Sequence, residues 1–294
     1  MKTVAIIQAR MSSSRLPGKV LLDIDGKPML QRVIERTQLT RSLDSVVVAT
    51  TTHPADDPLA AFAASVGIAC TRGSLHDVLD RYYQAARAHS ADIIVRITAD
   101  CPLIDPSVID ETVALLGIAD YKLGTSPLLT HHAQFDFSCN RLPPPFGRSF
   151  PIGLDVEACT LAALERAWQK ASETFQREHV MPFLYENTTF KNNPQPAIPN
   201  SCFVLHGKSS RKFRIAQLHH RPDYGDLRWT VDTPEDLTFV REIFARLGNK
   251  TNFTWYDVLE IVQKEPKLAE INAGVRHKTM KEIDERQPGS QRAE

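Results

Sequence analysis

The chain has 294 residues, 42% of them hydrophobic and 24% charged, enough to bury one large α/β core or two smaller ones. Its 35 basic and 35 acidic side chains cancel, which argues against broad binding to nucleic acid or a membrane surface and confines any basic site to one locality. Five cysteines (Cys70, Cys101, Cys139, Cys159, Cys202) lack C-x-x-C spacing, no apolar run nears the roughly 18 residues of a spanning helix, and no signal peptide is recognisable; reduced thiols in a cytoplasmic protein are the expectation.

Val4–Ile7 is the first predicted strand, and it opens into Gln8-Ala9-Arg10-Met11-Ser12-Ser13-Ser14-Arg15-Leu16-Pro17-Gly18-Lys19. A loop at the carboxyl end of a strand in an α/β sheet is where ligands bind. Three cations and several backbone N–H groups suit a polyanion such as a nucleoside triphosphate. The loop is neither of the two common phosphate motifs. A Walker A loop would need glycine at 13 and Ser or Thr at 20, where Ser13 and Val20 stand, and G-x-G-x-x-G is absent.

Pro28–Leu39 is a predicted helix with proline in its first turn, Ser45–Thr50 a β-branched strand, and Asp57–Val66 an alanine-rich helix. Ile68–Thr71, His76–Ala88, Asp92–Thr98 and Pro106–Leu116 continue as strand, helix, strand and helix. This βαβα order predicts a mostly parallel sheet with helices on both faces. Residues 123–151, with His131-His132 and Pro143-Pro144-Pro145, have no clear period and read as an arm or excursion. Order returns with a strand at Gly153–Ala158, a helix at Leu161–Lys170, strands at Phe203–His206, Lys212–Leu218 and Leu227–Val231, and a helix at Pro234–Leu247 capped by Thr233. Residues 1–248 are thus one α/β domain, and 249–294 a helical tail that frays beyond Lys278.

Two acids stand where a strand meets a helix. Asp100, in Asp100-Cys101-Pro102, and Asp232, in Val231-Asp232-Thr233-Pro234, are candidate metal carboxylates; helix capping is the alternative for each. Arg10 and Lys19 are candidate phosphate contacts, exposed when the site is empty. Gly73 could let the backbone approach a flat ligand, with Ser74 or Asp77 on base or ribose; Ser74 and Asp77 could equally form a capping box. Asp155 and Glu157 share a strand face and could hold sugar hydroxyls. His179 could orient an acceptor or simply pack.

Gln8–Lys19, Val48–Thr52, Arg72–Tyr82, Asp100–Pro102, Gly153–Glu157, Arg177–Pro182 and Arg228–Asp236 resemble, in this order, the spore coat polysaccharide biosynthesis protein F group. That group belongs to the cytidylyltransferase-like family, which includes the acylneuraminate and 3-deoxy-manno-octulosonate cytidylyltransferases. The resemblance covers about residues 1–272. It implies a nucleotide-diphospho-sugar transferase fold, a homodimer, CTP as substrate, Mg²⁺, and transfer of CMP to a sugar acid. It further implies nucleotide contacts from Ala9, Arg10, Ser14, Arg15, Lys19, Thr50, Arg72, Gly73, Ser74 and Asp77. Arg10, Lys19 and Asp100 would be catalytic, and Asp100 and Asp232 would hold the metal. Arg81, Asp155, Glu157 and His179 are the acceptor candidates. A phosphate or phosphonate acceptor, a related glycosyltransferase, and a non-catalytic nucleotide-binding protein are the rival readings.

Overall fold

Alternation along the first strand decides the layering. In β1 (Thr3–Gln8), Val4 and Ile6 belong to one apolar cluster and Ala5 and Ile7 to another, because successive strand side chains point to opposite faces. A strand buried on both faces needs helices on both. The computed structural model, which describes residues 1–117, 135–144, 146–191, 194–196 and 201–276, provides them.

After β1 come a short hairpin, β2 (Asp23–Ile24) and β3 (Lys27–Pro28), then α1 (Met29–Gln38), β4 (Ser45–Thr51), α2 (Asp57–Ser65), β5 (Ala69–Gly73), α3 (Val78–Ala88), β6 (Ile93–Thr98) and α4 (Pro106–Ala114). Strands β5-β4-β1-β6 lie side by side and all parallel. The chain leaves β1 toward β4 and β5, then returns to the other side of β1 for β6. Such a reversal opens a crevice at the carboxyl ends of the two inner strands. Both the Arg10–Lys19 loop and Asp100 emerge there.

The chain continues as β7 (Phe137–Cys139), β8 (Glu157–Thr160), α5 (Leu161–Lys170), α6 (Thr174–His179), α7 (Pro182–Tyr185), β9 (Thr189–Phe190), β10 (Gln195–Pro196), β11 (Cys202–Lys208), β12 (Arg214–His220), α8 (Pro234–Arg246), α9 (Trp255–Lys264) and α10 (Lys267–Glu270). Here the sheet is mixed. β8 is antiparallel to β6 and β7, β12 parallel to β7, and β11 antiparallel to β12. One apolar cluster joins the sheet to α1, α4, α8 and α9 through Leu30, Val33, Val108, Val240, Phe244 and Val258. The other joins it to α3, α5 and α7 through Leu79, Tyr82, Leu164 and Leu184. Among the described residues no helix is long and apolar enough to cross a membrane.

The structure differs from the sequence expectation in three places. Residues 137–139 of the stretch read as an arm are a fully buried strand inside the sheet; residues 118–134 and everything beyond 276 lie outside the described residues. The strand expected at Gly153–Ala158 starts only at Glu157. Leu227–Val231 is extended but makes a single bridge, Ile152 to Arg228. Gly153 explains the last two: it has φ +110°, and a Cβ there would meet the Trp229 carbonyl carbon and the Thr230 nitrogen at 2.7 Å. Only glycine lets these two segments lie so close.

Candidate active site

Lys19 organises the crevice. Gly18 adopts the left-handed conformation (φ 69°) just before it, and Gly18 and Ser13 both donate backbone N–H to the Met11 carbonyl, at 2.9 and 3.0 Å. The loop start is anchored by buried Asp56, which accepts from Met11 N at 2.7 Å and from the Thr51 hydroxyl. The closed loop turns Lys19 inward, so it is buried rather than exposed. Its ammonium donates to Asp100 Oδ2 at 2.9 Å, Asp232 Oδ1 at 2.9 Å and the Val231 carbonyl at 2.7 Å. All three N–H bonds are thus used, and the two carboxylates lie no farther apart than the sum of their contacts to one nitrogen.

Neither Asp100 nor Asp232 is a helix cap. Asp105 caps α4, accepting from Ser107 N and Val108 N, and Thr233 with Asp236 forms the capping box of α8. Both site acids are left to face the crevice. They are joined through the backbone, with Val231 N donating to the Asp100 carbonyl at 2.8 Å and the Thr230 hydroxyl donating to it at 3.1 Å.

Cations surround Asp232. Its Oδ2 accepts from Arg15 and Arg228, each at 2.8 Å. Arg228 also forks onto Asp236, at 2.8 and 3.0 Å. Asp236 has no exposure and takes a further bond from Asn272. Burial would raise the Asp232 carboxyl's pKa, but Lys19, then Arg15 and Arg228, hold it well below the usual carboxylate range. Burial likewise works against the Lys19 ammonium, and Asp100 with Asp232 outweighs it, so the lysine pKa lies above its ordinary value. Arg228, Asp236 and Asp56 were not singled out by sequence reasoning. The spacing of Arg228 and Asp232, four apart, is the one local signal for the first; nothing local marks Asp56.

The other nominated residues separate into groups. Arg10 lies within electrostatic reach of Arg81, and Ser14 is exposed at the loop tip. Ala9 is buried and donates its N–H to the Ala49 carbonyl. Thr50 is fully buried, and its hydroxyl has no hydrogen-bond partner among the described residues. Arg72 is occupied by Thr51 O, His53 O and Asp57 at 2.8, 3.2 and 2.7 Å, a brace between β5 and the start of α2. A Cβ on Gly73 would sit 3.3 Å from Arg81 Cγ. Asp77, not Ser74, caps α3, accepting from Asp80 N at 2.9 Å; it is also gripped by Arg177. Ser74 accepts from Asp77 N at 3.0 Å.

Of the acceptor candidates, Arg81 is wholly buried. One of its nitrogens donates to the Ser74 carbonyl at 2.7 Å, two others have no partner, and burial lowers its pKa to about 10. Asp155 pairs with Arg148 at 2.7 Å and Glu157 with Arg96 at 2.6 Å. His179 ends α6, in the helical layer over this face of the sheet.

Comparisons with known proteins give the family. Residues 4–243 match the model of the cytidylyltransferase family. The chain is 45% identical over 270 residues to the 3-deoxy-manno-octulosonate cytidylyltransferase of Pelobacter propionicus, covering 85% of this chain and 100% of that one. It is 26% identical over 268 residues to the spore coat polysaccharide biosynthesis protein SpsF of Bacillus subtilis, covering 90% and 95%. A solved cytidylyltransferase from Leptospira borgpetersenii superposes with a TM-score of 0.76 at 30% identity, covering 94% and 100%.

Proposed function

Since the chain belongs to the cytidylyltransferase family and is an enzyme of the nucleotidyltransferase class, we propose that it transfers CMP from CTP to an acidic sugar, releasing pyrophosphate, in the synthesis of a surface polysaccharide. The observation that carries this reading is the meeting of Lys19, Asp100 and Asp232 at the carboxyl ends of β1 and β6. An acceptor oxygen attacks the α-phosphorus in line, the bond to the β-phosphate oxygen breaks, and pyrophosphate leaves. No covalent enzyme intermediate is needed, because positioning and fixed charge do the chemistry.

Each side chain has a role in that scheme. Arg10 and Arg15 frame the mouth of the loop and receive the negative charge of the triphosphate. Lys19 holds the two carboxylates together and supplies the positive charge nearest the reacting phosphate. Arg228 and Asp236 keep Asp232 in place. The buried Thr50 hydroxyl and the unpaired Arg81 nitrogens offer hydrogen bonds to the base.

Magnesium fits this donor set. Asp100, Asp232 and the Val231 carbonyl already share one cation through hard oxygens, and among the described residues no third acid completes a cage, which suits an ion that takes one or two carboxylates and fills its shell with phosphate and water. Bound by Asp100 and Asp232, it would neutralise charge developing on the phosphate oxygens.

The test is pyrophosphate release with CTP, Mg²⁺ and a panel of sugar acids, repeated with ATP, GTP and UTP. CTP is expected to be the preferred donor. Preference for UTP or GTP would move the protein to a different nucleotidyltransferase activity.

A further inference from the structure

Asp232 Oδ2 accepts from two guanidinium groups, Arg15 and Arg228, each at 2.8 Å. Both arginines are held in turn by the stretch that follows α10. Arg15 Nη1 donates to the Arg276 carbonyl at 3.3 Å, and the Arg228 carbonyl accepts from Asn272 Nδ2 at 3.0 Å. The other Nδ2 hydrogen goes to Asp236 Oδ1 at 2.9 Å, the oxygen on which Arg228 Nε also rests at 2.8 Å. Asn272 is only 4% exposed, so both amide hydrogens are spent on this cluster rather than on water. The stretch belongs to the segment whose sequence reads as a tail beyond the α/β domain. It is nevertheless anchored: Leu268 of α10 is buried in the core cluster shared with α8 and α9, and Val275 N donates to the Asn272 carbonyl at 3.0 Å.

The backbone leading to Asp232 explains why such support matters. A strand inside a ladder is fixed by repeated hydrogen bonds along its length. Leu227–Val231 has, among the described residues, one bridge from Ile152 to Arg228, so single contacts must fix it. Val231 N on the Asp100 carbonyl, at 2.8 Å, holds the end nearest Asp232. Asn272 holds the other end at the Arg228 carbonyl and, with Arg228, fixes Asp236. Asp236 in turn accepts from Asp232 N at 2.9 Å. One amide therefore bears on both the backbone and the side-chain placement of Asp232.

We infer that Asn272 is a positioning residue for the transfer reaction, and that the stretch after α10 is a working part of the site. The inference rests on the proposed cytidylyl transfer and deepens it. Asn272 acts through Arg228 and Asp236 on Asp232, and not on a substrate directly. Groups that orient a ligating carboxylate change affinity or activity by roughly 10–100-fold when removed. A shift of about 1 Å is enough to lose a reacting geometry. Removing the amide also leaves the Arg228 carbonyl and Asp236 Oδ1 each short of a donor, so stability falls as well. The test must separate the two effects.

The experiment is a double-mutant cycle on pyrophosphate release with CTP, Mg²⁺ and the panel of sugar acids. Asn272→Ala is expected to lower kcat by roughly 10–30-fold and to move the KM values for CTP and acid by less than about threefold. In an Asp232→Asn background the same substitution should cost less than about threefold, because the carboxylate it positions is gone. Asn272→Gln, which keeps the amide on a longer stem, should recover part of the wild-type kcat. Asn272→Ser carries the same cycle if Asn272→Ala does not fold. Val258→Ala empties core volume in α9; it should lower the urea midpoint at least as far and keep kcat within about threefold. An equal loss in both backgrounds, or a kcat lowered as far by Val258→Ala, leaves Asn272 a structural role only and overturns the inference. If no acid yields pyrophosphate, cytidylyl transfer fails as the function. Mn²⁺ binding to the protein, followed by electron paramagnetic resonance, then decides the positioning alone. Affinity roughly tenfold weaker in Asn272→Ala keeps it, and equal or absent binding removes it.

Discussion

The sheet has two halves built by different rules, and the crevice that holds Lys19, Asp100 and Asp232 lies along their seam. From β5 to β6 every strand is parallel, and each is joined to the next in sequence through a helix, with the Arg10–Lys19 loop and the β2–β3 hairpin inserted after β1. From β8 to β11 the strands are mixed and their partners come from distant segments; Phe137 of β7, for example, pairs with Ile215 of β12 and Cys159 of β8. The first half delivers a cation-rich loop and Asp100 through local geometry. The second places Glu157 by pairing of β8 with β6 and β7, and brings Asp232 in from the far end of the chain beside the Asp100 backbone.

Substitutions at the seam should have the largest effects. Lys19→Ala and Asp232→Asn are each expected to lower turnover by roughly 10²–10³-fold, the scale for losing one preorganised charge at a reacting centre. Lys19→Ala should also destabilise the fold by roughly 1–3 kcal/mol, less than a fully buried broken pair, because Asp100 loses its counterion while remaining partly hydrated. Initial-rate assays and urea midpoints check both effects. Normal turnover in either variant would place the chemistry elsewhere.

Arg228→Ala isolates what the mixed half contributes to the site. It leaves Asp236, with no exposure, as a buried carboxylate short of its guanidinium partner. The expected loss is about 2–4 kcal/mol of stability, with weaker metal binding because Asp232 loses one of the groups that orient it. A denaturation midpoint like the wild type's would show that Asn272 and the α8 capping box suffice for Asp236.

The same acids set a pH dependence. Asp232 and Asp236 both have pKa values lowered by folding: for each, burial acts against the shift, and cations outweigh it, Lys19 for Asp232 and Arg228 for Asp236. Below a free aspartate's value of about 3.9 the unfolded chain takes up protons before the folded one does. Their stabilisation is therefore complete above about pH 5 and fades as pH falls below about 4. The stability gap between wild type and Asp232→Asn should narrow steadily from pH 5 toward pH 3 in chemical denaturation. A gap independent of pH would mean that the ion cluster contributes nothing net.

How much of this could be read from residues follows the same division. The parallel half was legible because each strand and helix announces itself within a dozen residues, and the loop after β1 breaks the pattern with an excess of charge. Asp100 was set apart because Asp105 better fits the cap of the next helix; Asp232 and Thr233 both suit a cap, and only the structure gives that place to Thr233 with Asp236. The burial of Lys19 was not, since it depends on Asp56 holding the loop start and on Val231 arriving from the far end of the chain. β7 was not, because three residues are too short to show a period and one of their two neighbours in the sheet, β12, lies almost eighty residues downstream. Arg72, Gly73 and Asp77 have partners in Asp57, Arg81 and Arg177 whose positions only the fold provides, and capping by Asp77 was one of the two readings its sequence allowed.

Asp77 gives the smallest effect and the cleanest contrast between the two readings of that segment. If it bonds base or ribose, removing its carboxylate raises the KM for CTP and leaves stability nearly unchanged. The structure puts its oxygens on Asp80 N and on the Arg177 guanidinium, which ties the start of α3 to α6. Loss of an aspartate cap costs about 1 kcal/mol, and the partly exposed ion pair adds at most a similar amount. Asp77→Ala should therefore lower stability by roughly 1–2 kcal/mol, while Asp77→Asn, which keeps the capping oxygen, should lose less. The KM for CTP should move less than threefold in both. A KM raised tenfold or more in Asp77→Asn, with stability intact, would return Asp77 to the nucleotide pocket and require α3 to shift when substrate binds.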